Sequence, residues 1–139
     1  MKLKKDTINY LESELKQYIY IEKDIARVRE EILNPWTPID ENIGGGRSAK
    51  NVSVTEDKAT SLVNDRRLSR LMQVKVAIEN VYRSVNDDSK KLMDLYYFTE
   101  RRELNIVGVA NKIHVSDKTA YNIRKAILYK LADELGIMR

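Results

Sequence analysis

Apolar residues recur along this chain at three- and four-residue steps, the spacing of one buried helical face. Ile8, Leu11, Leu15, Tyr18, Ile19, Ile25, Val28 and Ile32 mark a first stripe, with charges of both signs on the other side. It predicts a helix from Asp6 or Thr7, either of which can cap free N–H groups, to Leu33. Pro35 stops it, because a proline has no N–H and its ring clashes with the preceding turn. Residues 34–52, nineteen in all, show neither helical nor strand periodicity, and Trp36 and Ile43 are the side chains expected to pack there. Ser53-Val-Thr-Glu56 fits a capping box. From it Ala59, Leu62, Val63, Leu68, Leu71, Val74, Ile78, Val81 and Val85 predict a second long helix. Two such helices can pair with each other or with those of a second subunit.

The pattern shortens after Asn86-Asp-Asp-Ser89. A short helix carrying Leu92, Met93, Leu95, Tyr96 and Phe98 comes first, then a charged connector over residues 99–104. Asn105 can cap the next helix, whose face is Ile106, Val109, Ala110 and Ile113. His114-Val-Ser116 is too short for a loop, and Ser116 restarts a helix with Ala120, Ile123, Ile127, Leu128 and Leu131 on its inner side. Gly136 stands where a left-handed C-terminal cap is expected. A short helix, a tight turn and a second helix at an angle form a helix-turn-helix, whose second helix can lie in the DNA major groove. The turn needs positive φ, and that position falls on His114, a type that tolerates the left-handed region better than most. The expected fold is all-α, with a helical N-terminal region over residues 1–86 and a helix-turn-helix domain over residues 87–139.

Net charge is only +4, but its distribution changes the picture. Residues 1–100 carry 17 basic and 17 acidic side chains, whereas residues 101–139 carry 8 against 4. The surplus sits where a polyanion would be met. Asp117, Lys118, Tyr121, Asn122 and Lys125 point away from the apolar stripe of the last helix. Its first two turns are where base edges are read, and later basic residues meet phosphates. Lys118 can donate to guanine O6 or N7, and Asn122 can pair with adenine N6 and N7. Arg124 and Lys125 suit phosphate, and Ser116 and Thr119, in the cap and first turn, complete the expected DNA-binding set.

Other chemistries find little support. With no cysteine and one histidine the chain offers no disulfide framework and no zinc cage, so no metal or cofactor is expected. No apolar run approaches a membrane span, and the lysine-rich start does not read as a signal peptide, so a cytoplasmic protein is expected. Gly44-Gly-Gly-Arg47-Ser48 lacks phosphate-loop spacing and any preceding strand, and reads as a linker. Glu30-Glu31 and Asp87-Asp88 sit at helix termini, where capping and solvation account for them. Nothing assembles a nucleophile, a base and an oxyanion site, so no catalytic residue and no enzyme is expected.

The stretch from Val109 to Leu131 resembles the helix-turn-helix of bacterial sigma factor region 4, which binds the promoter −35 element. The whole chain resembles the RinA/ArpU-type phage transcriptional regulators of Gram-positive hosts. That likeness is carried in order by Leu11-Glu-Ser-Glu-Leu15, Asn34-Pro-Trp-Thr-Pro38, Asn42-Ile-Gly-Gly45, Tyr96-Tyr-Phe98, Ile113-His-Val-Ser-Asp117 and Leu131-Ala-Asp-Glu-Leu-Gly136. It implies an activator of late phage genes that binds double-stranded promoter DNA in a bacterial cell and touches host RNA polymerase. Matched to the sigma pattern, base reading falls on Asp117, Lys118, Tyr121 and Asn122. Lys118 and Asn122 stand where sigma factors commonly carry Glu and Gln, a departure that bears on the target sequence. A further expectation is homodimerisation through the N-terminal helices. The alternative function is an adaptor that docks on RNA polymerase or a phage protein without reading DNA.

Overall fold

The computed structural model describes residues 2–34, 61–62 and 65–137. The expected connector around Trp36 and Gly44–Gly46, and the proposed cap at Ser53, lie outside them. The described residues are helical with no strand, an all-α fold. In chain order the helices are α1 (Lys5–Gln17), α2 (Ile21–Leu33), α3 (Arg66–Ser84), α4 (Asp87–Leu92), α5 (Ile106–Ile113) and α6 (Asp117–Glu134).

Two long elements differ from their expected form. The first stripe is cut by a single 3-10 turn, Tyr18–Tyr20, between α1 and α2. α1 begins at Lys5 after an extended Lys4 that makes no side-chain cap, so Asp6 lies inside the first turn instead of ahead of it. There its carboxylate still meets the positive end of the helix dipole. Within the second stripe a helix starts at Arg66, where Asp65 accepts from the Leu68 N–H at 3.0 Å. A carboxylate cap satisfies otherwise unpaired N–H groups, which apolar spacing alone does not register.

The chain divides into two compact units, Glu22–Met72 and Met1–Ile21 with Gln73–Arg139. In the first, Ile25, Val28 and Leu68 are buried, and Arg67 bridges Glu31 at 2.7 Å and Asp65 at 3.4 Å. The second holds a continuous core. Leu11 and Leu15 of α1 reach zero exposure, as do Ile78 of α3, Leu92 of α4, Val109 of α5 and Leu131 of α6. Each such side chain contributes about 1.5–3 kcal/mol on leaving water. Asn86 caps α4, accepting from the Ser89 N–H at 2.9 Å. Leu11 and Leu15, the middle of the stripe read as a dimer face, are buried within the chain itself.

α4 runs into a π-helical turn, Met93–Tyr97, closed by Phe98 N–H to Met93 C=O at 2.9 Å. Met93 and Tyr97 both enter the core there. α5 and α6 end alike. His114 adopts φ 61° and ψ 45°, with Val115 N–H bonded to Ala110 C=O at 3.0 Å. Gly136 has φ 69°, with Ile137 N–H bonded to Ala132 C=O at 2.9 Å. These six-to-one bonds around a left-handed residue satisfy carbonyls that a helix end leaves open. Replacing His114 with valine should destabilise the chain by about 1–2 kcal/mol, because a β-branched residue is strained in that region. Glycine should leave stability unchanged or raise it slightly; urea titration of the two variants distinguishes them.

Candidate nucleic-acid interface

The turn from α5 to α6 is set by three local devices. Asn105 accepts from the Gly108 N–H at 2.8 Å and starts α5, and His114 turns the chain. Ser116 then starts α6 by accepting from the Thr119 N–H at 3.1 Å. The Ser116 hydroxyl donates in turn to Thr119 Oγ1 at 2.8 Å, leaving the Thr119 proton free to be donated outward. Buried Ala110 and Ile113 on α5 and buried Ala120 on α6 hold the two helices against the common core.

The inner face of α6 carries Ala120, Ile127, Leu128, Leu131 and Ala132, all buried, with Ile123 partly so. The outer face is open. Ser116, Asp117, Lys118, Thr119, Asn122 and Lys125 are exposed, and Tyr121 keeps half its surface in solvent. Steps of 100° per residue put Lys118, Asn122 and Lys125 on one side, with Tyr121 at its edge. Lys125 carries its ammonium 5.6 Å from the Tyr129 ring centroid, which steadies a long flexible side chain. Seven of the eight residues read from sequence as DNA-binding are therefore exposed.

Arg124 is the eighth, and its side chain is only 28% exposed. Its Nε donates to Glu12 Oε2 at 3.0 Å, and a terminal nitrogen closes a second bond to Oε1. The same Oε2 accepts from the Tyr97 hydroxyl at 2.9 Å. Glu12 is 6% exposed, so α1, the π turn and α6 meet at a buried carboxylate. Burial pushes the Glu12 pKa up, but the hydrogen bonds from Arg124 and Tyr97 and the guanidinium charge outweigh it, and the net direction is down. Burial, reinforced by the Glu12 charge, pushes the Tyr97 phenol up, so it stays protonated as a donor. The bonds to Glu12, against a smaller penalty of burial, hold Arg124 charged.

Sequence reasoning missed Glu12 and Tyr97. Glu12 sits directly beside Leu11 within the α1 stripe, and Arg124 beside Ile123 within that of α6. A charge of each sign at the border of two buried faces is the one trace of their pairing. Among the described residues no group of histidine or carboxylate side chains could hold a metal ion, and no helix is long and apolar enough to cross a membrane.

A family model described as "Protein of unknown function (DUF722)" matches residues 5–133 of this chain. The chain is 37% identical over 134 residues to the "Transcriptional activator rinA" of Staphylococcus phage phi11, covering 96% of this chain and 94% of that one. No solved structure matches it.

Removing one partner of a buried pair is costly, because the other is left charged and unmatched. Glu12→Gln should lower stability by roughly 1–3 kcal/mol near neutral pH, the partial exposure of Arg124 moderating the loss. The folded carboxyl titrates below its unfolded counterpart, so its contribution is complete above the ordinary glutamate range and vanishes as pH falls through the lower, folded value. Urea titrations from neutral to acid pH should show this increment fading in the parent and absent in the variant. Replacing the pair with Glu12→Leu and Arg124→Met together should recover part of the loss.

Proposed function

This chain belongs to the DUF722 family, with the RinA-type phage regulators, and we propose that it activates transcription by laying α6 in the major groove of promoter DNA. The observation that carries this reading is the sidedness of α6. One face is sealed in the core while Lys118, Tyr121, Asn122 and Lys125 stand together on the other. The charge surplus of residues 101–139 lies in the same region, and a helix restarted by Ser116 presents its first turns outward.

In this reading Lys118 donates to guanine and Asn122 pairs with adenine. Tyr121 and Asp117 contact the groove beside them, and Ser116, Thr119 and Lys125 meet the backbone. Arg124 is already engaged by Glu12 and acts by holding α6 in place, so the phosphate contact at this level falls to Lys125. The promoters are those of late phage genes, with host RNA polymerase the partner whose recruitment raises transcription.

Footprinting across the late promoter region of the phage that encodes this chain tests the proposal directly. Once a site is known, Lys118→Ala and Asn122→Ala should each lose about 1–3 kcal/mol on it and relax sequence preference. Lys125→Ala should instead weaken all duplexes alike and reduce the slope of log affinity against log salt by about 1. Identical behaviour of the three variants would remove the assigned roles. A chain that bound polymerase but no duplex at low salt would overturn the reading in favour of an adaptor.

A further inference from the structure

Three lysines stand just ahead of, and at the start of, α1. Lys2, Lys4 and Lys5 are exposed, while Leu3 between them is 8% exposed and joins the core. The backbone at Lys4 is extended, and extended chain alternates its side chains, so burying Leu3 turns Lys2 and Lys4 outward.

This segment lies beside α6. A cleft of about 240 Å³ separates them, with Lys2, Tyr121 and Lys125 among its walls and Leu3, Ile8 and Leu128 among its apolar lining. Along α1, residues 5, 9, 12 and 16 fall on one edge by helical spacing. Glu12 on that edge meets Arg124, so the edge bearing Lys5 borders α6. Glu12 is engaged by Arg124, and the other charged residues along this edge are Lys5 and Lys16. Burial pushes the Lys16 pKa down, Arg102 adds to it, and Glu12 works against it. Asp6, next in sequence to Lys5, lies about 100° around the helix from it.

A helix with its side chains is about 10–12 Å across and the major groove about 12 Å wide, so a docked helix has a phosphate ridge along each flank. On the Tyr121 and Lys125 flank of α6, the neighbouring protein is the lysine-bearing segment. We infer that residues 2–5 form a second DNA contact, in which Lys2, Lys4 and Lys5 engage the phosphodiester backbone bordering the groove that α6 occupies. The inference rests on the proposed docking of α6. The contact is sequence-independent, adds affinity and salt dependence, and joins α1 to the interface through the same packing that seats Leu3.

The test is fluorescence anisotropy of the full chain with a short random-sequence duplex over a series of salt concentrations. A variant carrying Lys2→Gln, Lys4→Gln and Lys5→Gln should lower the slope of log affinity against log salt by about 2–3. A matched variant with arginine at the three positions should keep the parent slope. Circular dichroism melts of both should stay close to the parent, since Leu3 is untouched. An unchanged slope in the glutamine variant, with the parent still binding, overturns this inference alone. A parent that ignores duplex DNA overturns the reading of α6 and the inference with it.

Discussion

A carboxylate taken out of water must be matched, and Glu12 is matched by a guanidinium on the last helix and a phenol on the π turn. That requirement links elements 85 and 112 residues apart in sequence. It makes α1 part of the body that presents α6, instead of a free arm. The same contact engages Arg124 at the border of the buried face of α6 and leaves Lys118, Tyr121, Asn122 and Lys125 exposed.

The presenting surface follows from ordinary helix chemistry. α6 is amphipathic, started by one hydroxyl and ended at one left-handed glycine, and its angle to α5 is fixed by a left-handed histidine. None of these devices concerns DNA. Each satisfies backbone groups or buries apolar surface, and the exposed row from Lys118 to Lys125 is what remains. In the proposed docking on a duplex, a packed core behind the helix spares the cost of ordering it at the moment of binding.

Much of this was legible from residue spacing. Asn105, Ser116, His114 and Gly136 act where their chemistry placed them, because caps and left-handed turns are settled by a few neighbouring residues. The faces of α5 and α6 followed from periodicity for the same reason. The long N-terminal stripes were less faithful. A 3-10 turn at Tyr18–Tyr20 lies within the first and a helix start capped by Asp65 within the second, and apolar spacing carries on across both without a mark.

The order of apolar and polar residues by itself determined that this chain is helical, where its last helices begin and end, and which side of α6 faces outward. Tertiary structure alone decided that α1 packs in the same core as α6, that Glu12 is buried there, and that Arg124 turns toward it. Helix limits depend on interactions within about one turn, whose partners adjoin in the chain. A buried ion pair depends on which surfaces come together, and with over a hundred residues intervening, no local pattern in either segment specifies its mate.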